Sequence, residues 1–271
     1  MLALLVAVAS LAGLWEPSIY AKETPSWRAQ GLGQDIVDLL VIAPVLLGCA
    51  WGIARGSRVA VVVLAGVLVY VVYSFVLYAL AMHFNALFLV YCAALGVAFY
   101  CLVDIGLYLS LHDGSLWFAA TQRRTRTVGW FLIAVATTFT ALWLSAIIPA
   151  LIDGRAPPAL EEAGLITNPV HVLDLALVLP GLAMSGVLLL ARRPAGFLLA
   201  PVMLAFNTAM TVAMIGMSFS LWGHDLAVEP FVVIAMSGVA VASAFMLVGF
   251  LRQLRPTTLL VGRLDHPRHA I

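Results

Sequence analysis

The sequence predicts an all-α fold: a polytopic membrane helical bundle of about eight transmembrane helices, arranged as two parallel four-helix repeats. Three observations carry that expectation. Hydrophobic residues make up 63% of the 271 and charged residues only 10%, with a mean hydropathy of +1.07. Soluble domains run near half apolar and about a quarter charged, so most of this chain must face lipid or other helices. The apolar residues fall in near-continuous runs rather than an alternating pattern, which fits helices and not a barrel. Finally, one short stretch occurs twice: Asp35-Ile36-Val37-Asp38-Leu39-Leu40-Val41-Ile42-Ala43-Pro44 and His171-Val172-Leu173-Asp174-Leu175-Ala176-Leu177-Val178-Leu179-Pro180. Asp38 matches Asp174, and Pro44 matches Pro180.

A span needs about 20 mostly apolar residues at about 1.5 Å rise each. The runs that qualify are 2–20, 35–54, 59–82, 86–110, 128–151, 170–191, 196–220 and 228–251. No Lys or Arg precedes the first run, so it reads as a retained span rather than a cleaved leader. It also resembles the fifth: Leu5-Val6-Ala7-Val8-Ala9-Ser10 against Leu132-Ile133-Ala134-Val135-Ala136-Thr137, each followed by Leu-Trp. A start codon upstream of Met1 is compatible with that pairing. Polar loops follow both, Lys22 to Gln34 and Asp153 to Thr167. Spans two and six then end at short basic turns, Arg55-Gly56-Ser57-Arg58 and Arg192-Arg193-Pro194. Short turns at His83-Phe84-Asn85 and Gly223-His224-Asp225 precede the last span of each half. The recurring order places a first repeat over 1–115, a second over 116–255 and a cytoplasmic tail over 256–271. An even number of spans per half makes the repeat parallel rather than inverted.

Basic residues set the orientation. With the amino terminus inside, Arg55, Arg58, Arg123, Arg124, Arg126, Arg192, Arg193, Arg252, Arg255, Arg263 and Arg268 are cytoplasmic, and only Lys22, Arg28 and Arg155 are outside. Both termini are therefore expected in the cytoplasm. The acids fall the other way, with Asp104, Asp113 and Asp265 alone on the inner side. An acidic outer mouth concentrates cations over about a Debye length, roughly 8 Å. The plainer account is that insertion excludes basic residues from outer loops and leaves other polar residues there.

Asp38 and Asp174 are the first candidates for chemistry. Asn168 reads as a helix N-cap and Pro169 as a first-turn residue, which places Asp174 roughly 9 Å along the axis at about 1.5 Å per residue. A carboxylate at that depth is costly unless paired, and it usually faces the bundle interior. At matching repeat positions the two acids would meet across the pseudo-symmetry axis as a cation or proton site. The competing account is a pair of interfacial acids satisfied by headgroup water or by Lys22, Arg28 or Arg155. Asp35 and His171 lie three residues before Asp38 and Asp174, on the same helix faces. Glu16 stands at the outer end of span one. The candidate substrate- or cation-binding residues are thus Asp38, Asp174, His171, Asp35 and Glu16. A His and three Asp would suit a hard or borderline divalent metal only if spans two and six adjoin at their outer ends. Without an H-E-x-x-H or a dense His cluster, no metal is assigned.

Other polar features read more plainly. Asp104, within the inner half of a span, pairs with Arg58 or snorkels to the cytoplasm. Tyr70, Tyr73, Tyr78 and Tyr91 suggest a hydroxyl-lined groove, but interface belts and ordinary packing explain most such rings. Tyr70 and Tyr73 share a face that Tyr78 does not clearly join. Pro44 and Pro180 should kink their helices, since each removes an intrahelical bond.

Several classes fall away. Cys49, Cys92 and Cys101 form no C-x-x-C, which removes a disulfide framework, a thiol redox motif and a zinc knuckle. The six His lie in loops or at span ends, unlike the facing pairs of a di-haem cytochrome. There is no G-x-S-x-G elbow and no P-loop, so no cofactor is implied. The inner basic loops are too short for a nucleic-acid surface.

The D-L-x-x-x-x-P echo at Asp38–Pro44 and Asp174–Pro180, with the Phe84-Asn85-Ala86-Leu87-Phe88 turn, resembles uncharacterised bacterial eight-span integral membrane proteins. That resemblance implies a multi-pass protein of the bacterial cytoplasmic membrane and no particular activity. Ala, Val, Leu, Gly and Arg enrichment with a single Lys fits a GC-rich bacterial genome. Three functions remain in view. The first is a small permease or cation- or proton-coupled carrier using Asp38 and Asp174. The second is a membrane-embedded lipid- or isoprenoid-processing enzyme with an outer metal held through His171. The third is a non-catalytic subunit or assembly factor that docks a membrane partner subunit. Coupled uptake, bound metal and a stoichiometric co-purifying chain respectively distinguish them.

Overall fold

The computed structural model describes residues 1–111, 117–118 and 122–254. The expected tail 256–271, with Arg255, Arg263, Arg268, Asp113 and Asp265, lies outside the described residues. The described chain is helical. Helix α1 spans Leu2–Trp15, α2 Pro25–Ala54, α3 Arg58–Ala81, α4 Phe88–Leu111 and α5 Gln122–Asp153. A short α6 covers Pro158–Ala163, followed by α7 Pro169–Leu190, α8 Pro194–Gly223 and α9 Pro230–Leu251.

Among the described residues seven helices are long and apolar enough to cross a membrane, α2 to α5 and α7 to α9. They make this a helical membrane protein. Helix α1 is apolar but has only 14 residues, about 21 Å at 1.5 Å per residue, against a hydrocarbon core near 30 Å. It ends early because Pro17 forces Glu16 out of the helical region, and Glu16 is extended at φ −104°, ψ 100°. The eight expected spans therefore become seven long helices and one short one.

The second difference is at the start of α2. The expected loop to Gln34 is helical from Pro25, capped by the Thr24 hydroxyl, which accepts the Trp27 N–H at 3.3 Å. Mean hydropathy is low there, but Trp27, Gly31 and Gln34 recur at helical spacing and are buried. Trp27 Nε1 donates to the Ala81 carbonyl at 3.2 Å, tying the start of α2 to the end of α3. Glu23 fastens the preceding turn to the same end: its carboxylate accepts the His83 N–H at 2.7 Å and lies 3.1 Å from His83 Nδ1.

Helices α3 and α8 form the centre. In each, 61% of the most apolar stretch is buried, against 17–33% in the other long helices. Helix α1 packs on α2 and α4, α2 on α3 and α8, and α3 on α4 and α8. On the other side α5 packs on α7, α7 on α8, and α8 on α9. The outer helices present bare apolar faces, such as Phe231, Ile234, Val241 and Phe245 on α9, suited to lipid contact.

Helices α2 and α8 cross at a pair of glycines. A Cβ on Gly33 would come within 2.6 Å of the Gly216 carbonyl oxygen and of Met217 Cα, so only glycine lets these backbones approach. Gly33 is near the start of α2 and Gly216 near the end of α8, so the two helices run antiparallel. The basic turns at Arg55–Arg58 and Arg192–Arg193 accordingly share one end of the bundle. Arg124 Nη1 donates to the Gly249 carbonyl at that same end. Arg58 and Asp104 line one pocket there, with the Arg58 guanidinium 4.9 Å from the Trp117 ring centre. The opposite end carries Glu23, His83 and α6.

Candidate functional site

The repeated stretches share a local structure that neither propensity nor hydropathy announces. At Asp38–Ile42 and again at Asp174–Val178 the helix widens into a π turn. The Ala43 N–H bonds the Asp38 carbonyl, and the Leu179 N–H bonds the Asp174 carbonyl, each five residues back. Pro44 and Pro180 follow directly. Proline offers no N–H and its ring presses on the carbonyl four residues earlier; a turn one residue wider relieves that contact. Each matched aspartate thus opens a π turn, where a simple kink was expected.

Asn168 caps α7 as expected, its Oδ1 accepting the N–H groups of Val170 at 3.0 Å and His171 at 3.2 Å. Asp174 lies beyond that cap and is buried. Trp143 of α5 donates its indole N–H to Asp174 Oδ2 at 2.8 Å. The same indole packs on the His171 ring at 4.6 Å between centroids. These three side chains lie on the wall of a cavity of about 320 Å³, built by α2, α3 and α5 to α8 at the end away from the basic turns. Such a volume falls at the low end of small-molecule sites, roughly 300–1,000 Å³. Its wall is mostly apolar. The polar groups include Gln30, Gln34, Tyr73, Ser74, Tyr78, Asn168, His171, Asp174 and Asn207. Asn207 is held by its Nδ2 bond to Ser243 Oγ at 2.7 Å. The Tyr73 hydroxyl is buried without a hydrogen-bond partner, and the Asp174 carboxylate is its electrostatic neighbour.

Asp35 and Asp38 do not line this cavity. They lie behind it, each with about 1% of its surface exposed. Tyr20 Oη donates to Asp35 Oδ2 at 2.6 Å and Tyr78 Oη to Asp35 Oδ1 at 2.8 Å. Tyr70 Oη donates to Asp38 Oδ1 at 2.7 Å, while Asp38 Oδ2 is buried with no partner. Burial, then the adjacent Asp35 carboxylate, hold the Tyr20 phenol well above its ordinary value of 10.0, so it stays a donor. Tyr78 and Gln34 belong to both places: they border the cavity and stand in front of the carboxylates. Tyr91 stacks on Tyr78 at 5.1 Å and 25°.

Five sequence candidates therefore divide three ways. His171 and Asp174 reach the cavity, and Asp35 and Asp38 form a tyrosine-bonded cluster behind it. Glu16 is exposed and accepts the Ser18 N–H at 3.3 Å. Asp38 bonds Tyr70 and does not line the cavity that Asp174 borders with Trp143, so the carboxylates do not meet directly. Tyr70 and Tyr78 both face α2, whereas Tyr73 faces the cavity. Trp143, Tyr20 and Gln34 were not singled out from sequence. Only the Leu-Trp echo at Leu142-Trp143 drew notice to one of them. Among the described residues no three His, Cys, Asp or Glu side chains come together as a metal-binding group.

Comparison with family models, with curated proteins and with solved structures found no match.

Proposed function

We propose that the protein is a small permease or carrier for a cationic or proton-coupled solute. In this reading it works in a bacterial cytoplasmic membrane with both termini in the cytoplasm. Its two halves, 1–115 and 116–255, descend from one duplicated helical quartet. The paired π turns and the paired Asp–Pro stretches support that descent.

One observation carries the reading: a solute-sized cavity has Asp174 on its wall and a second, buried pair of carboxylates behind Gln34 and Tyr78. Asp174 meets the solute. Asp35 and Asp38, bonded to tyrosine hydroxyls rather than to lysine or arginine, hold or release a proton as the cavity fills. The partners in this account are the lipid bilayer and the solute. The test is a proteoliposome assay with a pH-reporting dye inside and a panel of small amines, amino acids and inorganic cations outside. At least one solute should drive proton movement, and Asp174→Asn and Asp38→Asn should each abolish it. A panel in which no solute enters and no proton moves through correctly inserted protein overturns the carrier reading.

A further inference from the structure

We infer that the cavity takes an organic ammonium ion, a solute with one positive nitrogen and an apolar body. The inference rests on reading this cavity as the solute site, and it names the class of solute.

The first argument is charge. Among the described residues Asp174 is the sole carboxylate on the wall, and no Lys or Arg lines it. A single fixed negative charge in an apolar enclosure selects one positive charge and rejects anions. The second argument is the kind of cation. A calcium-like ion requires about six to eight oxygen ligands and magnesium an octahedron. Here one carboxylate is surrounded mainly by carbon, in a space of about 320 Å³ that far exceeds a bare ion. The aromatic lining supplies the missing attraction. Trp27, Tyr73, Phe139, Trp143 and Phe206 all border the cavity. Phe139 and Trp143 adjoin at 6.3 Å between centroids, and Tyr73 and Phe206 at 6.2 Å. Ring faces attract an alkylammonium head, most strongly where water is excluded.

The third argument is orientation. The Trp143 indole N–H holds one oxygen of Asp174 at 2.8 Å, which fixes the carboxylate beside the ring that would cover the cation. The Tyr73 hydroxyl, on the same wall beside Asp174, offers a further contact for an N–H or a hydroxyl on the solute. The methionines Met210, Met214 and Met217 recur along one face of α8 and border the same space, with Met82 nearby. Their flexible thioethers fit apolar bodies of varied shape.

The experiment uses purified full-length protein in detergent, with no gradient, and reads binding by tryptophan quenching and calorimetry. Choline and benzyltrimethylammonium are compared with 3,3-dimethylbutanol, the neutral isostere of choline, and with the anion 3,3-dimethylbutanoate. At least one ammonium should bind saturably, with choline or its larger analogue at least tenfold tighter than the neutral isostere, and the anion should not bind. Asp174→Asn should weaken the ammonium at least tenfold and leave the neutral isostere unchanged. Phe139→Leu, which alters no charge, should weaken the ammonium more than the isostere. Binding of neither ammonium, equal binding of the isostere, or preference for the anion overturns the inference. The comparison in unmodified protein decides even if a variant fails to fold. Ammonium binding with neither solute entry nor proton movement in proteoliposomes would overturn the carrier reading alone. Proton movement driven by another solute, with no ammonium bound, would overturn this inference alone.

Discussion

Asp35 owes its place to small and aromatic neighbours together. Gly13 of α1 leaves the room: a Cβ there would collide with Asp35 Oδ2. Tyr20 and Tyr78 then supply one hydroxyl to each oxygen of that carboxylate. A buried acceptor stripped of its donor bears the full desolvation penalty, about 1–3 kcal/mol and more for a charged group. Tyr78→Phe should therefore lower thermal stability by about 1–3 kcal/mol. Added to Asp35→Asn, it should cost less than the sum of the two single changes, because both remove the same bond. Thermal unfolding of the four proteins measures this, and strict additivity would show that the bond carries no coupling. The sequence made Asp38 and Asp174 visible through their echo, and made Asn168 and Pro169 legible as a helix start. It did not reveal which tyrosines serve the acids. Tyr70, Tyr73 and Tyr78 sit within a uniformly apolar helix whose rotation is set by α2 and α8, so their directions depend on packing and not on local pattern.

At the scale of the helix, small residues and prolines decide what the long apolar runs do. Hydropathy located the cores of all seven long helices, but it could not see the first turns of α2. Arg28, Gln30 and Gln34 depress the average there, while the buried face of Trp27, Gly31 and Gln34 docks on α3 and α8. Likewise Pro44 and Pro180 were legible as disturbances, but their outcome as π turns depends on how the next turn is packed. The α2–α8 crossing is the element contact most sensitive to one atom. Adding a methyl group at Gly33 would push against the Gly216 carbonyl and the backbone of Met217, both at 2.6 Å. Overpacking of that kind costs about 1–3 kcal/mol. Gly48, in the same helix, has nothing within 4 Å of an added Cβ, and alanine there should be neutral or mildly stabilising by helix propensity. Gly33→Ala should therefore unfold at lower temperature than Gly48→Ala in the same detergent. Equal midpoints would mean that the crossing yields easily, and that α2 and α8 are not locked by close backbone contact.

For the whole molecule, the sequence exposed the helical membrane class better than the assembly. Segregated arginines predicted which turns share an end, and the antiparallel α2–α8 crossing brings those turns together. The cavity was not legible, because its wall draws on six helices whose polar residues are scattered singly through apolar runs. In the proposed orientation the same arginines lie on the cytoplasmic side. Carrying Arg55, Arg58, Arg192 and Arg193 to the outer face would require translocating the short basic loops that membrane insertion retains inside. In that orientation the end with Glu23, His83 and the cavity-lining residues Ala159 and Asn168 faces outward. Alkaline phosphatase, which is active only outside the cytoplasm, should thus be active when fused after Gly223 and inactive after Arg192. A fluorescent protein that matures only in the cytoplasm should glow after Arg192 and stay dark after Gly223. The reverse pattern would turn the cavity toward the cytoplasm, and Asp174 would then draw its cation from the cell rather than from the medium. The fusions therefore fix the direction from which a solute first reaches the site, independently of what that solute is.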